Sequence, residues 1–391
     1  ARRYRDTLFL ALFARLPADQ QARVFASAPG RKFFVATFVA ETSLTIPGIR
    51  YVVDSGLARI SHYSPRSRTT SLPVRPVSRS SCDQRMGRCG RVADGVCFRL
   101  YAEEDYLARP LFTAPEILRA NLAEVVLRMM ALKLGDVAEF PFIDPPVDAS
   151  IRDGFNLLLE LGAIRERGGG RPRPGQPRHD LTANGRMMAK IPIDPRLARM
   201  LLTARTEGCL EEITIIAAAL SIQDPRERPP ERAAEADRAH AAFKDPASDF
   251  ITLLNLWRHF NGREGERMGS AQLKKFCRER FLSFRRLREW RDLHGQLTAI
   301  LEEHLPPDPS SSPAAGGNSA AAEPPGDFSA RYAAIHRAIL SGFLSNIALQ
   351  KEGNLYTAAR NRAAMIFPGS GLFNAAGKWI VAAELVETSR L

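Results

Sequence analysis

Nothing in these 391 residues offers a membrane span, a cysteine metal site or a phosphate-cradling loop. Apolar runs stop well short of the roughly 18 residues that a bilayer-crossing helix needs. No basic segment followed by an apolar stretch marks a secretory leader. Cysteine is scarce: Cys82, Cys89, Cys97, Cys209 and Cys277 are odd in number and lie in no metal-ligand spacing. Such thiols point to a reduced, cytoplasmic protein with no cysteine-held metal. The run G-x-x-x-x-G-K-[ST] is missing, so the chain alone has no P-loop to wrap a nucleotide's β- and γ-phosphates. Acid is short relative to base, with 43 Asp and Glu against 55 Lys and Arg, a net charge of +12 and a pI near 9.9. That excess favours a polyanionic partner, by phosphate neutralisation and counterion release. An Arg-rich codon usage gives the same composition, so clustering has to decide.

With 45% apolar side chains, several domains with real cores are expected. Over 1–109, helical patterns alternate with short apolar runs: "LFLALFARLPADQQARVF" leads into "KFFVATF", then "IRYVVDSG" and "GVCFRLY". The chain opens on Ala1 within a helical pattern, and the β-rich runs predict a parallel α/β sheet. Inside this region "SHYSPRSRTTSLPVRP" has two extended arms about a Pro/Ser turn and predicts a β-hairpin over about 59–79. Over 110–190, Leu118, Leu122, Val125, Met129 and Leu132 fall on one face of a first helix. "ASIRDGFNLLLELGAI" makes a second, followed by the Gly/Pro/Arg-rich "RERGGGRPRPGQPRHD". Two helices and a loop with short strands suit a winged helix, although a low-complexity loop is also compatible with disorder. Helices dominate 191–304, residues 305–327 read as a flexible linker, and 328–391 read as a small β-barrel that stops short. The fold class is multidomain α/β plus α. A start without Met and an end on the strand-like "ELVETSRL" suggest a piece of a longer protein.

The densest chemistry is in "QRMGRCGRV", Gln84–Val92. At about 100° per residue, Gln84, Arg88 and Arg91 lie within roughly 60° of one another on a helix. One face then offers an amide and two guanidiniums, with Gly87 and Gly90 removing bulk so that another surface can approach closely. Two convergent guanidiniums match the oxygens of a phosphate, most of all one gaining spread charge during phosphoryl transfer. An Arg-rich helix lying on a nucleic-acid backbone, or simply solvated, is the competing reading.

About forty residues upstream, "VATFVAETSLTIPGIRYVVDSG" places a hydroxyl-rich loop between two strands. Together these segments resemble motifs V and VI of the superfamily 2 helicases, specifically the DEAH-box ATP-dependent RNA helicases of a bacterial type. The resemblance continues through "PEILRANLAEVVLRMMALKLGD", "IPIDPRLARMLL", "AAALSIQDPRERP" and "FPGSGLF…ELVETSRL", covering nearly the whole chain. It implies a second RecA-like lobe, truncated at its start, over 1–109, a winged helix over 110–190 and a helical ratchet domain over 191–304. The start of an OB-fold follows over 328–391.

By the same resemblance, Gln84 is the motif VI glutamine near the γ-phosphate, and Arg88 and Arg91 are arginine fingers. Ser43 falls in the loop that senses the nucleotide and its attacking water. Phe25 matches an aromatic that stacks on adenine, or it is a core residue closing an amphipathic helix. Thr37 matches a residue that holds the RNA backbone, and the hairpin arginines Arg59, Arg66 and Arg68 would lie against the emerging strand. The cofactors implied are ATP and Mg²⁺, the metal held mainly by a first RecA-like lobe joined in cis. That lobe carries the P-loop and an Asp-Glu-x-His motif, neither of which occurs here. The partner implied is single-stranded RNA, or an RNA duplex with a 3′ overhang, travelled 3′ to 5′; DNA is an open variant, and no membrane is involved. Relatives usually carry Asn where this chain has Phe38, and many carry Asp where it has Pro47, so the loss of one polar contact near the RNA track and looser base and sugar selectivity, without loss of activity, are expected.

Between Arg59 and Arg91 lie eight arginines and a single acid, Asp83. A second basic segment, "QLKKFCRERFLSFRRLREW", spaces Phe276, Phe281, Phe284 and Trp290 helically among seven basic residues. Its aromatics read as core and its basic face as a channel wall. Two rivals to the motor reading stand beside it: a non-catalytic RNA-binding protein derived from a helicase, and a scaffold that binds protein partners.

Overall fold

The structure, a computed structural model, describes residues 6–13, 16, 18–42, 45–167, 178–261, 269–305, 327–373 and 375–387. Two compact units emerge, one from Ala1–Ser64, Thr70–Ala120 and Val386–Leu391, the other from Pro65–Thr69 and Asn121–Leu385. The expected linker, 305–327, lies almost entirely outside the described residues, as does most of the Gly/Pro/Arg-rich loop. No described helix is long and apolar enough to cross a membrane.

In the first unit, Thr7–Leu12 is a strand and not the continuation of an opening helix. It pairs in parallel with Arg31–Ala36, Leu10 opposite Phe34. Period-2 burial decides the matter: Leu10 and Leu12 point into a core with Leu16 and Val24, while Phe9 and Ala11, at the alternate positions, are exposed. Tyr51–Asp54 pairs in parallel with Val96–Arg99. The parallel α/β expectation is therefore met by two separate strand pairs, not by one continuous ladder among the described residues. The hairpin spans 57–76. Leu57–Arg59 pairs antiparallel with Val74–Pro76, and His62–Ser64 and Thr69–Ser71 are neighbours nearer the turn. Arg79 is not on this ribbon; it opens the Arg79–Met86 helix.

The second unit is built on Pro195–Thr206 and Leu210–Leu220. Asp194 accepts the Arg196 N–H at 2.7 Å with Pro195 at the first helical position, a favoured helix start. Ile213 to Ala219 are all buried, so that helix is the centre of the unit. Trp290, fully buried on Phe284–His304, donates its indole N–H to the Ile215 carbonyl at 2.9 Å. Asp327–Gly342 packs along Pro195–Thr206, where a Cβ at Gly342 would strike the Arg196 carbonyl. A four-stranded antiparallel sheet, Ile347–Glu352, Leu355–Ala358, Arg362–Met365 and Trp379–Val381, closes over Ala348, Tyr356 and Ala358.

Two helical readings shift. The helix after Pro115 starts late, at Ala123, where the Asn121 side chain accepts the Ala123 N–H at 2.9 Å. Its buried stripe is Leu122, Val126 and Met129; Leu118 and Leu132 lie outside the helix and are exposed. The basic-aromatic segment is likewise not one helix. Ser270–Glu279 and Phe284–His304 are separated at Phe281, whose φ of 54° is left-handed. Phe276, Phe281 and Trp290 are core, while Lys274, Lys275, Arg278, Arg285 and Arg288 are exposed.

What positions the basic loop of the first unit is a buried charge network. Ser78 caps the Arg79–Met86 helix by accepting the Ser81 N–H. From the last turn, Arg85 bonds Glu41 through Nε and Asp54 through Nη1, both at 2.8 Å, with the two acids 4% and 1% exposed. The Ser81 hydroxyl donates to the other Glu41 oxygen. Asp54 also accepts the Gly56 N–H at 2.9 Å and the Tyr101 hydroxyl at 2.8 Å. Gly56 has a φ of +69°, and a Cβ there would fall on the Tyr101 ring and the Arg109 guanidinium. Burial works to raise the Asp54 pKa, but the bonds from Arg85, Gly56 and Tyr101 and the Arg85 charge outweigh it and hold it below the usual carboxylate value.

Removing one member of a buried ion network leaves charge uncompensated. Arg85→Ala is expected to cost about 3–5 kcal/mol, read as a lower denaturant midpoint for the first unit. The depressed Asp54 pKa gives stability that is present above its unfolded value near 3.9 and lost as pH falls through the lower folded value. Thermal melting followed down from about pH 5 should therefore decline more shallowly in Asp54→Asn than in the parent.

Candidate functional site

The Arg79–Met86 helix stops at Met86, so Gln84, Arg88 and Arg91 do not share a helical face. Gly87 caps the helix, and the next N–H groups fold into tight turns, Arg88 to the Arg85 carbonyl and Cys89 to that of Met86. Two glycines within four residues make further helix costly, at about 1 kcal/mol each. Gln84 is exposed on the last helical turn; Arg88 is half-buried in the turn that follows, and Arg91 is exposed in a bend.

Long-range contacts bring the two arginines to one place. Arg88 donates from Nη2 to the Glu41 carbonyl, and Arg91 donates from Nη1 to the Thr45 hydroxyl at 2.7 Å. Both therefore reach the segment on either side of Ser43, which itself lies outside the described residues. Burial, then the positive charge of Arg91, lower the Arg88 pKa from its ordinary value, against the pull of Glu41. Two guanidiniums this close repel, and an anion in front of them relieves the repulsion. A Cβ on Gly90 would meet open space, so the close approach expected there is not made to any described residue.

Phe25 ends the Ala18–Phe25 helix and is 46% exposed, while its neighbour Val24 is in the core, so the core alternative for Phe25 fails. Thr37 is exposed just after its strand, its N–H held by the Leu12 carbonyl. Phe38 and Pro47 are exposed as well. On the ribbon, Arg59 and Arg75 are exposed, as is Arg66 in the turn. Arg68 departs from expectation. Its side chain is 6% exposed and committed to Asp153 and Glu160, so its charge is not offered to a ligand. Arg85, counted with the basic cluster, is likewise spent on Glu41 and Asp54. The Glu41–Asp54–Arg85–Tyr101 set was not singled out from the sequence. Its one local signal was an acid in each of two neighbouring segments, "AET" and "VVD". No described group of three or more His, Cys, Asp or Glu could hold a metal.

Residues 2–93 match the helicase conserved C-terminal domain, 194–253 the ratchet-like helicase-associated HA2 domain, and 335–391 an oligonucleotide/oligosaccharide-binding (OB) fold. Over 388 residues, 99% of this chain, the sequence is 47% identical to the ATP-dependent RNA helicase HrpA of Escherichia coli strain K12. It is 47% identical over the same length to the HrpA homolog of Haemophilus influenzae. It is 34% identical over 393 residues, 98% of this chain, to the pre-mRNA-splicing factor ATP-dependent RNA helicase prp22 of Schizosaccharomyces pombe. The chain spans 28% of the length of the two bacterial relatives and 30% of the yeast one. With three family models matched in order and the likeness sustained along nearly its whole length, the chain matches the C-terminal part of a DEAH-box helicase.

Proposed function

We propose that this chain is part of an ATP-dependent, 3′-to-5′ RNA helicase of the cytoplasm, in which Arg88 and Arg91 act as arginine fingers. The observation that carries the reading is their convergence, from the turns after Met86, on the Glu41–Thr45 segment. Phosphoryl transfer spreads negative charge over the departing group, and guanidiniums already in place stabilise that charge without reorganisation. The Arg85 network holds them there. Gln84 on the adjoining turn and Ser43 between the two anchor points are read as the groups that orient the nucleotide and its attacking water. Phe25, exposed at a helix end, is read as the platform for adenine.

The reading needs a P-loop, which these 391 residues lack. A first RecA-like lobe, joined in cis, would cradle the ATP phosphates and hold Mg²⁺. RNA, as a single strand or a duplex with a 3′ overhang, would be gripped by phosphate and sugar, with little base preference. Thr37, Arg59 and Arg66 are the proposed contacts, and DNA is the alternative track. Arg68 is withdrawn from that set, its charge being already neutralised. The helices Ala123–Ala131 and Asp148–Glu160, with the paired strands Ile164–Glu166 and His179–Leu181, are read as the winged helix.

The chain alone should hydrolyse ATP only at background rate. In a protein that adds the P-loop lobe, Arg88→Ala should lower RNA-stimulated turnover by about 10³-fold or more with RNA affinity within about twofold. Retained turnover would remove the arginine-finger role. Binding of single-stranded RNA should weaken with salt, and Arg59→Ala or Arg66→Ala should each reduce the log–log slope by about 0.7. A chain that bound no RNA would favour the scaffold reading.

A further inference from the structure

The turn of the hairpin is held far more tightly than the end of a solvated ribbon requires. Pro65–Thr69 clusters with Asn121–Leu385, whereas the residues on either side of it do not. Arg68, with a left-handed φ of 52°, bonds Asp153 through Nε at 2.8 Å and Glu160 through Nη1 at 2.7 Å. The two acids sit seven residues apart on the Asp148–Glu160 helix, about two turns, and so on one face. Asp153 also lies 3.6 Å from Arg360 and accepts from the Asn121 amide at 3.5 Å.

A second set of bonds reaches the same turn from the sheet that follows Gly342. Arg360, at a φ of 62°, donates to the carbonyls of Pro65 at 2.8 Å and Arg66 at 2.7 Å. Arg362 donates to the carbonyl of Ser67. Three consecutive turn carbonyls and the next side chain are thus all engaged. Left-handed backbone at two non-glycine residues is unfavourable and persists only where surroundings over-determine it. Burial works to lower the Arg68 pKa, but the hydrogen bonds and charges of Asp153 and Glu160 outweigh it and hold the guanidinium above its ordinary value.

We propose that Pro65–Thr69 is a latch, with Arg68 as its positioning residue, fastening the hairpin turn to the Asp148–Glu160 helix and to Arg360 and Arg362. Arg68 is then not a nucleic-acid contact. Its neighbour Arg66, exposed on the fastened turn, is presented to a strand at a fixed place. Only this last consequence rests on the RNA reading above.

Hydrogen exchange on the whole chain, followed by mass spectrometry over 63–71, tests the latch without nucleic acid. Arg68→Met and Asp153→Asn should each speed exchange there at least tenfold, leaving Pro195–Leu220 as in the parent. Arg68→Lys, which keeps the charge but not the two-pronged reach, should fall between, and Arg66→Ala should match the parent. Should the acid or Arg68 variants loosen the whole unit, Arg362→Met opens the latch from the other side and must give the same local acceleration. Unchanged exchange over 63–71 in Arg68→Met and Arg362→Met would overturn the proposal. So would an RNA salt slope that fell in Arg68→Met as it does in Arg66→Ala, because Arg68 would then be neutralising a phosphate. Failure of the parent chain to bind RNA would sink the functional reading and leave the exchange result to decide the latch.

Discussion

The bridge from Arg85 to Glu41 and Asp54 is the constraint on which the first unit's chemistry rests. Glu41 belongs to the short Val39–Thr42 helix, Asp54 ends a strand, and Arg85 occupies the last turn of another helix. Three segments spread over 44 residues are thereby tied at one point. Buried ion pairs of this kind give little net stability against an apolar replacement. What they give is a penalty for every arrangement that separates the partners, and so a defined geometry. Arg88 and Arg91 inherit that geometry: Arg88 reaches the Glu41 backbone, three residues after the Arg85 that binds the Glu41 side chain.

Arginine count alone therefore overstates what the surface offers to a polyanion. Arg68, Arg85 and Arg109 are spent inside the molecule. Arg109 is 7% exposed, bonded to Asp105 and the Gly56 carbonyl, and stacked on the Tyr101 ring at 4.1 Å. Others, such as Arg228 with Asp237 and Arg232 with Glu235, sit in exposed pairs that contribute little to stability and are easily exchanged for another anion. Exposed basic side chains such as Lys274, Lys275, Arg278 and Arg285 keep the excess charge at the surface. The same residue type thus does three jobs, and burial separates them.

Much of the fold was legible because apolar periodicity is local. The helices of the second unit, the antiparallel sheet after Gly342 and the hairpin all follow from patterns a few residues long. Most of the failures share a cause, which is that a distant partner decided the outcome. Thr7–Leu12 has enough apolar residues to fill a helix face, and a parallel neighbour more than twenty residues away makes it a strand. One shift is local instead: Leu122 and Met129 are buried as expected, but Asn121 starts the helix late, leaving Leu118 outside it and Val126 buried where Val125 was expected. At the site, the motif named Arg88 and Arg91, but nothing near them in sequence announced Glu41 and Asp54 as the acids that would hold Arg85.

Arg66 and Arg68 show the same limit at the smallest scale. On a regular strand, residues two apart face the same way, which would make these arginines equivalent on the ribbon. Here the strands stop at Ser64 and resume at Thr69, so both residues lie in the turn. The left-handed backbone at Arg68 breaks the alternation. One guanidinium turns to Asp153 and Glu160, and the other stays exposed. A basic hairpin read by composition gives both residues one role. The turn gives them two, because an arginine can advertise charge only where no acid of its own protein reaches it first.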